Sequence, residues 1–155
     1  MKKFLLSLPL LALLTTQCRQ DDVPAPTLTQ SQPFTLAVGQ AVRVQWVGQP
    51  FPSYSSYAPL DSLTFKLNVI EDSRCPADAD CVRAGEATTK FTLSAYGATS
   101  AEQSLSIPVP NAKNHTDSTT VRVGNSSFVV VLKSVKPYPG TGIGNWTKTA
   151  TFVVK

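Results

Sequence analysis

The chain has little of what enzymes usually work with. It carries one histidine, and only 15% of its residues are charged. That histidine, His115, sits between Asn114 and Thr116 in a polar stretch. Acyl transfer needs a nucleophile, a base and a group that orients the base, and only His115 is available as the imidazole. No two carboxylates stand out as the pair that a glycoside hydrolase needs. A hydrolase using surface carboxylates therefore stays only as an alternative. A phosphate-cradling glycine loop is missing too, because Gly140, Gly142 and Gly144 lead into strand-like sequence rather than a helix. No cofactor is called for. The 14 lysines and arginines are scattered, without the cluster that would follow a phosphate backbone, which argues against nucleic acid as a partner.

Long apolar runs are also scarce. The one present, Phe4 to Leu14, is interrupted only by Ser7 and Pro9 and follows Lys2 and Lys3. At about eleven residues it falls short of a hydrocarbon core roughly 30 Å thick. It has the length and the basic start of a secretory signal, so residues 1–17 are expected to be removed. Losing Lys2 and Lys3 moves the formal net charge of +4 toward neutrality.

Cysteine is rare as well, with three in the chain. Cys18 follows the apolar run directly, and Leu14-Thr15-Thr16-Gln17-Cys18 resembles a lipobox, with Gln17 where a small residue is usual. The expectation is a lipidated Cys18 that holds the protein to the bacterial envelope, at the outer membrane, facing the periplasm or the surface. The alternative is an ordinary secretory signal with an incidental cysteine. Acyl chains contribute about 0.8 kcal/mol per buried methylene, so a multiply acylated cysteine anchors without a transmembrane helix. Residues 18–33 contain Pro24, Pro26 and Pro33 and lack apolar periodicity, which predicts an extended, mobile tether reaching roughly 40 Å. Asp21 and Asp22 resemble the acidic export signal of surface lipoproteins in one Gram-negative phylum, or simply solvate the linker. An exported chain meets an oxidising compartment, so Cys75 and Cys81 are expected to be bridged.

Residues 34–155 then read as one domain, and period-two alternation dominates it. Phe34, Leu36 and Val38 alternate with polar or small residues, and Gly39-Gln40 looks like a hairpin turn into Val42, Val44 and Trp46. Leu63, Phe65, Leu67 and Val69 form a second row, and Ala87, Thr89, Phe91, Leu93 and Ala95 a third. Leu105, Ile107 and Val109 make a shorter strand. Val121 and Val123 lead through Gly124-Asn125 into Phe128, Val130 and Leu132. Val129 and Val131 suggest that this strand is buried on both faces. Trp146, Ala150, Phe152 and Val154 close the series. About eight short strands predict an all-β, antiparallel sandwich of immunoglobulin-like build, with a small closed barrel as the alternative.

The most distinctive segment is Glu71-Asp72-Ser73-Arg74-Cys75-Pro76-Ala77-Asp78-Ala79-Asp80-Cys81-Val82-Arg83-Ala84-Gly85. Asp72 and Arg74 are spaced to pair beside the bridge, and Gly85 suits a backbone angle that other residues resist. The segment resembles a family of uncharacterised bacterial lipoproteins, whose members carry Asp-Ser-Arg-Cys-Pro, a second cysteine about six residues on, and Trp-Ala-Gly before a strand. Asp72 through Pro76, Cys81, Ala84 and Gly85 match, while Arg83 stands where tryptophan is usual. The resemblance runs roughly from Phe34 to Lys155 and includes the Pro137-Tyr138-Pro139 turn. It implies a β-rich exported domain and brings no activity with it.

Two thiols and one histidine fall short of a zinc site. Calcium is the stronger metal alternative, because Glu71, Asp72, Asp78 and Asp80 offer hard oxygens near one turn, although the twelve-residue calcium loop is not matched. Two Pro-rich aromatic stretches offer a candidate binding surface: Phe51, Tyr54 and Tyr57 in one, Tyr138 and Trp146 in the other. Tyrosine and tryptophan suit recognition of a glycan or another envelope protein. The alternative is that these rings cover the ends of the sandwich. Taken together, the residues point to a non-enzymatic binding or structural module. A protease inhibitor acting through the Cys75–Cys81 loop is a further alternative, since a closed loop loses little entropy on docking.

Overall fold

Alternating apolar and polar side chains favour extended backbone, with one face buried and the other wet. The computed structural model follows that pattern throughout residues 27–45, 62–108, 117–141 and 146–155, the parts of the chain it describes. Ten strands form: β1 (Thr27–Thr29), β2 (Phe34–Ala37), β3 (Ala41–Gln45), β4 (Ser62–Asp72), β5 (Glu86–Ala95), β6 (Ala98–Thr99), β7 (Gln103–Pro108), β8 (Ser118–Val123), β9 (Ser126–Lys136) and β10 (Thr149–Val154). No helix occurs among the described residues.

The strands make two sheets. In the larger one, β1, β3, β4 and β5 lie side by side, and β6 and β7 share the far edge of β5. The smaller sheet runs β2-β10-β9-β8. Every pairing is antiparallel except that of β1 with β3. The two sheets face each other as a β-sandwich, and nothing in the pairing singles out the immunoglobulin arrangement. β1 lies inside the segment that reads as tether, so the folded part begins before Phe34.

Between the sheets, Phe65 and Phe91 of the larger one meet Phe34 and Phe152 of the smaller. Phe65 is the hub, with ring centroids 5.2 Å from Phe34, 4.9 Å from Phe91 and 4.7 Å from Phe152. The expected rows of β5 and β8 are buried as read: Ala87, Thr89, Phe91, Leu93 and Ala95 in one, Val121 and Val123 in the other. Thr89 is fully buried and its hydroxyl donates to the Leu105 carbonyl at 3.3 Å, so its polar atom is not stranded. The Gly124-Asn125 hairpin forms, joining Val123 to Ser126 across β8 and β9.

Other expectations are corrected. Gly39-Gln40 is not a hairpin, because β2 belongs to the smaller sheet and β3 to the larger. The turn carries the chain across the sandwich, its ends bonded to Leu67: Gly39 N–H donates to the Leu67 carbonyl and Leu67 N–H to that of Gln40. Val38, displaced by the crossing, is exposed. β9 is not buried on both faces either, since Val129 is exposed and Val131 only half-buried. Trp146 precedes β10 and is exposed.

Two long strands carry a register shift. In β4 Leu67 faces Phe91 but Val69 faces Lys90, so Asn68 is the extra residue. In β9 Leu132 faces Phe152 but Ser134 faces Thr151, so Lys133 is extra. A bulge of this kind reverses which face the following side chains take. Leu63, Phe65 and Leu67 point inward before the shift; Ile70 and Asp72 do so after it, opposite Thr89 and Ala87. Likewise Phe128, Val130 and Leu132 give way to Val135.

Candidate functional site

The two bulges lead to one place. β4 ends at Asp72 and β9 runs through Val135 to Lys136, and both arrive at the end of the sandwich that carries the cysteine loop. There the inward position falls to a carboxylate. Asp72 has no exposed side-chain surface, and Arg74, 6% exposed, clamps it with two bonds. Arg74 Nε reaches Asp72 Oδ1 at 2.8 Å and Nη2 reaches Oδ2 at 2.9 Å, with Nη2 also donating to the Val135 carbonyl at 3.0 Å. The planar fork of arginine suits this two-pronged contact. Tyr138 lays its ring over the guanidinium, 4.5 Å from centroid to Cζ. Lys148 adds a second cation, 3.3 Å from Asp72 Oδ2.

The group thus ties β4 of one sheet to β9 and the approach to β10 of the other. Burial alone would raise the Asp72 pKa, but the hydrogen bonds and charge of Arg74, with the charge of Lys148, hold it below its ordinary 3.8. An ion-paired carboxylate kept ionised in this way is a poor general acid. Asp72 is a fastener here.

From this base the loop between β4 and β5 projects. Ser73 and Glu86 exchange backbone and hydroxyl bonds, and Cys75 N–H donates to the Ala84 carbonyl at 2.9 Å, so the strand pairing continues beyond β4. Cys75 and Cys81 are bridged, their Cα atoms 5.9 Å apart. Gly85 has φ +69°, and a Cβ there would land on the Ser73 carbonyl, so glycine is required at this step. The outer side of the loop is braced by the Pro137–Thr141 turn: Ala77 N–H donates to the Pro139 carbonyl at 2.9 Å, and Gly140 packs against Ala77 with no room for a side chain. Residues 77–86 are all exposed, and Val82 is 104% exposed, an unusual state for a valine in a fixed loop.

The candidate aromatic residues do not form one described surface. Tyr138 is half-buried against Arg74, as a ring covering the sandwich end. Trp146 is 62% exposed at that same end, two residues before Lys148. Phe51, Tyr54 and Tyr57 lie outside the described residues, as do Cys18 and His115. Gln45 and Ser62, which flank that first aromatic stretch, face each other at the opposite end of the sandwich. The four acids of the calcium alternative are not gathered at one point. Glu71 and Asp72 are neighbours on a strand and point to opposite faces; Glu71 meets Lys90 at 3.3 Å while Asp72 is taken by Arg74. Among the described residues no three acidic, cysteine or histidine side chains converge as metal ligands.

Sequence reasoning missed Lys148, the Val135 carbonyl and Val82. The adjacent pair Val69-Ile70, which breaks the alternation of β4, was the available sign that Asp72 would turn inward. No protein-family model matches the chain, and neither a curated protein nor a solved structure does.

Proposed function

We propose that this chain is a lipid-anchored envelope protein whose domain is a non-enzymatic binding module, presenting the cysteine loop to a protein partner outside the cytoplasm. The address rests on the sequence: a basic start, a short apolar run and Cys18 at its end. The observation that carries the binding role is the loop itself. It is closed by a disulfide, fastened to both sheets through Asp72 and Arg74, and fully exposed along its tip. A fixed, exposed segment loses little conformational entropy on docking, and a valine and an arginine that meet no side-chain partner among the described residues are favourable contact groups.

The hydrolase alternative finds no support at this end, because the one inward carboxylate among the described residues there, Asp72, is paired with two cations. The test is capture from envelope extract by the domain (residues 19–155), beside a Val82→Ser/Arg83→Ser variant of unchanged melting temperature. A partner retained by the wild type and lost by the variant is the expected result. Equal capture by both, or none by either, overturns the reading. Mass spectrometry of membrane-extracted protein should find acyl chains on Cys18, and an unmodified thiol there would remove the anchor.

A further inference from the structure

We infer that the Val82-Arg83-Ala84 segment is the reactive site of a protease inhibitor, directed at serine proteases that cleave after arginine. This deepens the binding reading above and rests on it. Arg83 is exposed and makes no ion pair with any described residue, so its guanidinium is free to enter a pocket floored by a carboxylate. Val82 beside it is bare, giving a protease an apolar neighbour to grip.

What separates an inhibitor from a substrate is what happens to the ends of the scissile bond. Attack by the protease serine on the Arg83 carbonyl carbon would break its bond to the Ala84 nitrogen, which takes a proton from the protease histidine. Arg83 would become the acyl group, still two residues from Cys81, which the disulfide fixes to Cys75. Ala84 would become a free amine but could not leave. Its own carbonyl accepts the Cys75 N–H at 2.9 Å, Gly85 fits closely against Ser73, and Glu86 starts β5 with three bonds to Ser73. The amine therefore stays beside the acyl carbon, where re-forming the peptide bond competes with water at high effective concentration. Cys75 is the shared support, carrying the disulfide on its sulfur and Ala84 on its backbone. That support is itself immobilised by Arg74 and by the Pro139 carbonyl bond to Ala77.

The experiment titrates trypsin with the purified domain (residues 19–155), reading residual activity on a small chromogenic substrate and locating any cut by mass spectrometry. The expected result is loss of activity at a stoichiometric ratio, with Arg83–Ala84 intact or only slowly cut. Arg83→Ala removes a side chain that bonds to no described residue, and it should weaken inhibition by about 100-fold or more, as loss of a buried charge partner does. Reducing the disulfide, or Cys75→Ser/Cys81→Ser, should convert the domain into an ordinary substrate cut rapidly at Arg83. Rapid turnover of the native domain at Arg83, or full trypsin activity at excess domain, overturns the inference. If envelope capture still depends on Val82 and Arg83 while trypsin is unaffected, the binding role stands and only the inhibitor assignment fails.

Discussion

In the middle of the sandwich the two sheets are joined by four phenylalanine rings; at the end carrying the cysteine loop they are joined by a guanidinium, a carboxylate and a backbone carbonyl. The first kind of junction tolerates small changes of direction, because apolar burial is not directional. The second is fixed in angle by the arginine fork and fails if any one member is missing. The binding role proposed above calls for that second kind of junction under the loop, where a change in angle would be carried to the tip. The difference can be broken from either side. Phe65→Ala removes the hub of the ring cluster and should cost about 4 kcal/mol. The whole unfolding transition, followed by denaturant titration, should move together. A loss below about 1 kcal/mol would mean that the rings are not the main junction.

Arg74→Ala should come next, at about 3 kcal/mol, because it leaves Asp72 buried with only Lys148 and strips a donor from Val135. Replacing both partners, Asp72→Leu with Arg74→Met, should recover much of that loss, since an apolar pair leaves no charge uncompensated. A double substitution as damaging as the single one would show that shape, rather than charge pairing, governs this end. Opening the disulfide with Cys75→Ser/Cys81→Ser should cost less, about 2 kcal/mol for so short a closed segment. Its larger effect should be local: limited proteolysis ought to cut within residues 77–86 well before it reaches the strands.

These two regions also differ in how far the sequence revealed them. The ring cluster and the rows of β5 and β8 follow directly from alternation, since an apolar residue at every second position gives a strand one face to bury. The fastening at the loop end does not. It depends on extra residues at Asn68 and Lys133, and a bulge is set by tertiary fit rather than by any residue type. Alternation carried straight along β4 puts Glu71 inward and leaves Asp72 outside, available to a metal; the shift exchanges them. Gly39 shows a related limit. A glycine between two apolar rows gives the same signal whether the chain folds back within one sheet or crosses to the other, and only the pairing with Leu67 decides. The bridge between Cys75 and Cys81 was legible from their spacing and from the export that the first residues lead one to expect. Lys148, far along the chain from Asp72, left no local signal at all.

The smallest effect sharpens the comparison most, because only one of the two junctions titrates. The Asp72 carboxyl is pushed up by burial and pulled down further by Arg74 and Lys148, so its folded pKa lies below the ordinary 3.8. The folded state therefore binds the proton less readily than the unfolded chain. The resulting stabilisation is complete above the unfolded value and is lost as pH falls through 3.8 and on to the lower folded value. Unfolding free energy measured from pH 6 to pH 2 should decline in this window for the wild type and decline less for Asp72→Asn, which starts lower but has no proton to take up there. The exposed Lys90–Glu71 pair gives the contrast: its side chains are 38% and 62% exposed and water screens them, so Glu71→Gln should cost less than about 1 kcal/mol at neutral pH. Equal slopes for wild type and Asp72→Asn would mean that the carboxylate at the loop end is not held ionised by its cations, and the angular fixation argued for the loop would lose its foundation.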